Sequence, residues 1–139
     1  MEVIDAHVAL HAFGDGPLNA SARALPADAG SWRVPDIFLG ECANALSRLV
    51  RVRRMDRDSA HDAFAMIRGM VGEPIPSAGL VPSAFSRALV LNHGVFDCLY
   101  LEAARASGAR LITADLRFVE KLRGTSDEGL ILHLSDRRH

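Results

Sequence analysis

Two short apolar strands that each run into an aspartate constrain this chain more than any other feature. Val3-Ile4 ends at Asp5, and Arg110-Leu111-Ile112-Thr113 is followed by Ala114-Asp115. Between and after them the apolar periodicity is helical, and Leu130-Ile131-Leu132 makes a further strand. Strands that alternate with helices join in parallel through crossover connections, which predicts a short, mainly parallel sheet with helices on both faces. In such sheets ligands gather at the carboxyl ends of the strands. Asp5 and Asp115 both fall there.

Turn and cap signals place the remaining elements. Gly14-Asp15-Gly16-Pro17 marks a loop, and Trp32-Arg33-Val34 reads as a second short strand. Pro35-Asp36 opens a helix with Asp36 as N-cap, and Phe38, Cys42, Ala45, Leu49 and Val52 form its apolar stripe. Asp58-Ser59 starts another helix, with Ser59 and Asp62 in capping-box positions and Ala60, Phe64, Ile67 and Val71 on its apolar face. Pro74-Ile75-Pro76 is extended, its prolines suited to a sheet edge. Pro82 and Gly94 bound a helix carrying Ala84, Ala88 and Leu91. Asp97 to Ser107 is the next helix, closed by Gly108, and Asp115 to Arg123 the last. There is no repeat, low-complexity tract or long linker, so residues 1–139 are expected to form one α/β domain, an α/β/α sandwich.

Composition excludes several classes. With 49% hydrophobic and 24% charged residues, the chain is neither disordered, collagen-like nor a coiled coil. Its length suffices to bury roughly two-thirds of the unfolded surface. Sixteen basic residues, of which Lys121 is the only lysine, against seventeen acidic ones give a net charge of −1. Taken alone, that balance argues against a nucleic-acid enzyme. Cys42 and Cys98 lie among apolar neighbours outside any CxxC or Cys/His spacing, which predicts buried, reduced thiols. The first five residues carry acids where a secretory signal needs bases. No apolar run approaches the ~20 residues of a membrane span. A cytoplasmic protein with no membrane association is expected.

The acids carry the chemistry. Asp97 stands in the first turn of its helix and Asp115 at the start of another, where a carboxylate also serves as a cap or dipole partner. Asp5 has no such role to fill: apolar residues follow it, and a lone acid beside a buried strand is costly to desolvate. Glu41 lies next to the buried stripe of its helix and heads a polar seam with Asn44, Arg48 and Arg51. The same spacing suits a solvated Glu–Arg face. Acids that converge at a sheet edge raise one another's pKa and destabilise the fold unless a cation compensates. Hard oxygen donors select Mg²⁺ or Mn²⁺, ions that also bind phosphate oxygens. P-loop and GxGxxG motifs, and any Ser-His-Asp or Cys-His set in a recognisable context, are absent. A metal–carboxylate site for phosphoryl chemistry is what remains.

Four blocks together carry a resemblance. Val3-Ile4-Asp5-Ala6, Glu41-Cys42-Ala43-Asn44-Ala45-Leu46, Phe96-Asp97-Cys98-Leu99-Tyr100-Leu101-Glu102-Ala103-Ala104 and Leu111-Ile112-Thr113-Ala114-Asp115 resemble, in order and spacing, PIN-domain ribonucleases. Among these the chain looks most like the small VapC-type toxins of toxin–antitoxin systems, from Val3 to about Leu132. The resemblance implies an endoribonuclease with one or two Mg²⁺ or Mn²⁺ ions held by Asp5, Glu41, Asp97 and Asp115. Asp5 and Asp97 would be direct ligands, and Glu41 and Asp115 ligands of a second ion or of its waters. Thr113 resembles the hydroxyl that supports the last acid, and Asn44 the polar residue one turn beyond the glutamate. His7 departs from the pattern, standing where the family usually has Ser or Thr; it remains able to donate to a carboxylate or touch a phosphate. The resemblance further implies a cognate antitoxin that covers the acidic groove, an RNA substrate and a homodimer, for which the apolar faces of the helices from Asp36 and Ser59 offer an interface.

Other readings compete. A non-catalytic PIN-like module would bind antitoxin or RNA with a decayed site marked by His7. A phosphatase or phospho-receiver also places an Asp after its first strand, but His7 stands where a haloacid-dehalogenase type needs a second Asp, and Lys121 is poorly placed for a receiver. Arg48, Arg51, Arg53, Arg54 and Arg57 form the one local basic concentration. They suit either an RNA-guiding rim or a solvated helix end; Arg48 and Arg51, which share the Glu41 seam, are the better substrate-binding candidates. Trp32 and Tyr100 read as core. His11, His61, His93, His133 and His139 have no ligand spacing and read as surface or helix-end residues.

Overall fold

The computed structural model describes residues 1–138. Three short strands, β1 (Glu2–Ile4), β2 (Arg110–Thr113) and β3 (Ile131–His133), form a parallel sheet in the order β1-β2-β3. Val3 sits opposite Leu111, and Leu111 opposite Ile131. Seven α-helices are described: α1 (Ala6–His11), α2 (Asn19–Arg23), α3 (Phe38–Arg51), α4 (Arg57–Met70), α5 (Val81–Leu91), α6 (Val95–Ala106) and α7 (Leu116–Leu122). The α/β class, the parallel sheet and its flanking helices are as the strand–helix alternation predicts. No helix among the described residues is long and apolar enough to cross a membrane. His139, expected at the surface or a helix end, lies outside the described residues.

The core runs through the strands and the inner helix faces. Val3, Ile4, Leu111 and Ile112 pack with Phe38, Cys42 and Leu46 of α3 and with a fully buried stretch of α6, Cys98 to Ala104. Trp32 and Tyr100 are buried as expected. Both thiols are free and buried, and apolar burial pushes Cys42 up to about 12 and Cys98 to about 11.

The two proline-flanked segments do not become strands. Trp32-Arg33-Val34 lies beside β1 through the single bridge Val3–Arg33, and Val71 and Ile75 lie on its other side through the bridges Trp32–Val71 and Pro35–Ile75. Pro35, Pro74 and Pro76 have no N–H to donate, so a continuous ladder cannot extend through them. These segments still approach closely. A Cβ on Gly72 would stand 2.6 Å from the Gly30 carbonyl oxygen, which only glycine accommodates.

Several caps differ from expectation. Asp36 does not cap α3, because its carboxylate accepts from the hydroxyl and the backbone N–H of Ser77. The helix therefore begins two residues later, at Phe38. Helix α4 begins earlier than Ser59: Asp56 is its N-cap and accepts from Ser59 N at 2.8 Å and Ser59 Oγ at 2.9 Å. Helix α5 ends at Asn92 in the left-handed conformation (φ +50°), while Gly94 precedes α6, which starts at Val95 instead of Asp97. Gly108 (φ +63°) follows the end of α6 as predicted.

Of the expected stripes, Phe38 and Cys42 of α3 and Ile67 of α4 are in the core, whereas Ala45, Leu49, Ala60, Phe64 and Val71 are half-buried and Val52 is exposed; Leu46 and Ala63 are also in the core. Between the two helices Ala43, Leu46, Val50, Ala60 and Phe64 line an open groove of about 360 Å³. Large exposed apolar side chains also lie on α5, at Val81, Phe85, Leu89 and Val90, and at Val52, Met66 and Phe96.

Candidate active site

Asp5 closes β1 and is 6% exposed. It is also the N-cap of α1, a helix that the apolar run Ala6 to Leu10 did not announce. Asp5 Oδ1 accepts the His7 N–H at 3.1 Å, so a capping role does account for part of its burial. Asp5 Oδ2 accepts from Thr113 Oγ1 at 3.3 Å, and the same Thr113 oxygen accepts the Asp115 N–H at 3.0 Å. One buried hydroxyl at the end of β2 thus ties two acids together across the sheet edge. Asp115 caps α7, its Oδ1 accepting the Phe118 N–H at 3.2 Å, which leaves Oδ2 for other partners.

Those partners come from the turn before α6. His93 Nε2 lies 2.7 Å from Asp97 Oδ2 and 3.3 Å from Asp115 Oδ2, bridging two acids that are eighteen positions apart in the sequence. The ligand atoms of His93, Asp97 and Asp115 all lie within 4.8 Å of one another. The imidazole stacks on Phe118 with ring centres 4.3 Å apart, and Lys121 Nζ approaches its Nδ1 at 3.1 Å. His93 is thus neither a surface nor a solvated helix-end residue. Its side chain is 9% exposed. The i, i+4 spacing to Asp97 is visible in the sequence, but the intervening Gly94 breaks the helix, and only the fold brings α7 up against the pair.

Glu41 is half-buried on the first turn of α3 and accepts from the Tyr100 hydroxyl at 2.7 Å. Burial pushes its carboxyl above the ordinary value; the Tyr100 hydrogen bond opposes this, and the charges of Asp5 and Asp97 reinforce it. Asp97 is raised likewise, first by burial and then by Asp5 and Asp115, against the lowering effect of His93. These mutual repulsions mark the four acids as one electrostatic unit. Tyr100 is core, as expected, and its hydroxyl is also the group that orients Glu41.

Next to the acids lies a cleft of about 810 Å³, lined by residues that include His7, Glu41, Asn44, Arg48 and Arg54. His7 is exposed, as are Asn44, Arg48 and Arg54, and the Asp5 carboxylate beside its ring holds its pKa above the ordinary 6.5 despite partial burial. Arg48 and Asn44 take up the expected seam with Glu41. Arg51 donates to Ser47 of its own helix at 3.1 Å, and Arg54, beyond the helix end, joins Arg48 at the cleft. The left-handed Arg53 (φ +60°) ends the helix between them, a chain reversal that helical spacing does not foresee.

A family model described as PIN domain matches residues 3–122. The chain belongs to the PIN domain family. No curated protein matches the sequence. Among solved structures, this PIN domain is similar to PAE2754 from Pyrobaculum aerophilum at TM-score 0.66 and 19% identity, covering 96% of this chain and 83% of that one. It is also similar to a toxin–antitoxin complex from Klebsiella pneumoniae, at TM-score 0.62 and 13% identity over 96% of this chain and 98% of that one. VapBC2 from Rickettsia felis, bound to a DNA fragment from its promoter, matches at TM-score 0.64 and 12% identity over 95% and 97%.

PIN domains are in general nucleases that use divalent metal ions. The donor set of this PIN domain fits such an ion. Carboxylate oxygens of Asp97 and Asp115 lie together, Thr113 ties Asp5 to the same edge, and Glu41 and Asp97 are raised first by burial and further by the neighbouring acids, a repulsion that a hard cation would relieve.

Proposed function

We propose that this PIN domain is a metal-dependent endoribonuclease, the toxin of a toxin–antitoxin pair. The observation that carries the reading is the meeting of Asp5, Asp97 and Asp115 through Thr113 and His93, with Glu41 beside them, at the carboxyl edge of the sheet. Asp5, Asp97 and Asp115 with Glu41 would hold Mg²⁺ or Mn²⁺, which would supply Lewis-acid chemistry for water activation and charge neutralisation at the scissile phosphate. Arg48 and Arg54 hold the RNA backbone in the adjoining cleft by sequence-independent phosphate contacts. His7, with its raised pKa, donates from the mouth of that cleft, and Asn44 lines its wall. Arg51 is retained as an outer phosphate contact on the exposed side of α3.

The printed subjects of two structural neighbours, a toxin–antitoxin complex and a VapBC pair on promoter DNA, support an antitoxin partner. We assign that partner to the acidic cleft, where it blocks substrate. A homodimer, for which the apolar faces of α3 and α4 and the exposed Phe85, Leu89 and Val90 of α5 offer surfaces, and a cytoplasmic location belong to the same reading.

The test uses purified, antitoxin-free protein with structured RNA and, separately, DNA, in Mg²⁺ or Mn²⁺, beside Asp5→Asn, Asp97→Asn and EDTA controls. The expected result is RNA cleavage lost in all three controls. Cleavage that survives both substitutions would sink the site assignment. Antitoxin or RNA binding without cleavage would favour a non-catalytic module, in which His7 marks the altered site.

A further inference from the structure

We propose that His93 is a positioning residue for Asp97 and Asp115, and that Lys121 fixes its tautomer so that the ring donates to Asp97 beside Asp115 and does not itself ligate the ion. The inference rests on the metal-site reading above and adds two residues to it.

The argument begins at Lys121. Its ammonium lies 2.7 Å from the Asn92 carbonyl oxygen and 3.1 Å from His93 Nδ1. An ammonium has donors and no acceptor, so Nδ1 receives the hydrogen bond and the ring proton sits on Nε2. That Nε2–H is aimed at Asp97 Oδ2, 2.7 Å away, with Asp115 Oδ2 beside it at 3.3 Å. The ring has little freedom to turn. It is stacked on Phe118 at 9° to the phenyl plane, and its backbone N–H is bonded to Ala88 O at 3.1 Å beyond the left-handed Asn92.

A chemical choice follows. By proximity alone, His93, Asp97 and Asp115 look like a nitrogen-containing triad suited to a borderline metal such as Zn²⁺. With its proton on Nε2, the ring has no lone pair facing the acids. The ion is left to carboxylate oxygens, the donors that suit Mg²⁺ and Mn²⁺. The lysine, the only one in the chain, thereby acts on the metal preference through the imidazole.

The test reads tautomer and metal affinity, not turnover. Long-range ¹H–¹⁵N correlation of the imidazole nitrogens in the metal-free wild-type chain should report the Nε2–H form. Mn²⁺ titration followed by calorimetry should show affinity falling about tenfold or more in His93→Ala, with most of it restored in His93→Gln, whose amide nitrogen reaches the Nε2 position. Lys121→Met should populate the second tautomer and raise Zn²⁺ affinity relative to Mn²⁺. Circular dichroism confirms that each variant folds. An Nδ1–H ring in the wild type, ¹⁴N coupling of His93 to bound Mn²⁺, or unchanged Mn²⁺ affinity in folded His93→Ala overturns this inference alone. A wild-type chain that binds no Mn²⁺ overturns the metal-site reading and this inference with it.

Discussion

The Tyr100 hydroxyl donates to Glu41 Oε1 at 2.7 Å, joining the middle of α6 to the first turn of α3 across the buried core. This single bond sets both the direction and the proton affinity of the glutamate. Burial raises the Glu41 pKa, and the phenol is the one hydrogen bond that pulls it down. The phenol itself is pushed well above its ordinary value by burial and by its acidic partner, so it remains a donor at any pH the protein meets. Tyr100→Phe keeps the packing and removes the donor. The expected result is a loss of about 1 kcal/mol in stability, a further rise in the Glu41 pKa by ¹³C carboxyl titration, and weaker Mn²⁺ binding. An unmoved Glu41 titration would show that the bond does not orient the acid.

Thr113 makes the second link. Its hydroxyl donates to Asp5 and accepts from the Asp115 N–H, and the residue is fully buried. Thr113→Val preserves shape while leaving that N–H and an Asp5 oxygen without their partner, a loss of about 1–3 kcal/mol. Thr113→Ser should recover most of both stability and metal affinity. Equal behaviour of the two variants in chemical denaturation would remove the hydroxyl from the account.

How much of this was legible depends on whether a residue's role is local. Asp5, Asp97 and Asp115 are visible because strand ends and helix starts leave signatures within a few positions. Asp5 also caps α1, which its apolar neighbours hid, since Ala6, Val8 and Ala9 serve a helix face as well as a strand. Lys121 and His93 are twenty-eight positions apart, and their contact arises only when α7 packs beside the turn after α5. Asp36 illustrates the same limit from the other side. Its position before a helix predicts a cap, but Ser77, forty-one positions on, is a better partner once the proline-flanked segments meet.

The raised carboxyls give the metal-free protein a definite pH dependence. Glu41 and Asp97 bind protons more tightly in the folded chain than in the unfolded one. Between the ordinary carboxylate values and the raised ones, the native state therefore holds more protons, and stability falls as pH rises through that window. At neutral pH the penalty is fully present. Glu41→Gln, which still accepts from Tyr100, should melt above the wild type at pH 7, with the gap closing below pH 4.5, the ordinary glutamate value. A gap independent of pH would refute the electrostatic origin.

Bound divalent ion should relieve the same repulsion. At a free Mn²⁺ concentration one hundred times its dissociation constant, the linkage stabilises the fold by about 2.7 kcal/mol, several degrees in a domain of this size. The melting shift should vanish in Asp97→Asn and shrink in Glu41→Gln. A shift of equal size in all three chains, read by differential scanning fluorimetry with EDTA-treated controls, would place the ion elsewhere.

A second charged cluster provides the contrast that separates site from scaffold. Glu102 on α6 and Asp127 after α7 are both buried, yet two arginines neutralise them: Arg87 NH1 lies 2.6 Å from Asp127 Oδ2, and Arg105 bonds Asp127 at 2.8 Å and Glu102 at 3.1 Å. Here the number of cations equals the number of acids, and Asp127 holds the Arg105 guanidinium above its ordinary pKa. The acidic edge has four acids and, among the described residues, no arginine bonded to them: His93, backed by Lys121, meets Asp97 and Asp115, and His7 lies beside Asp5. A balanced cluster has no need of an external ion, so its disruption should affect folding alone. Arg87→Met leaves Asp127 Oδ2 without its partner while Arg105 still holds Oδ1, at a cost of about 1–3 kcal/mol. Adding Asp127→Asn to Arg87→Met should recover part of that loss, while Mn²⁺ affinity of the folded fraction stays at the wild-type value in both. If Arg87→Met instead weakens Mn²⁺ binding without lowering the melting temperature, the cluster acts on the site and the division between scaffold and active edge fails.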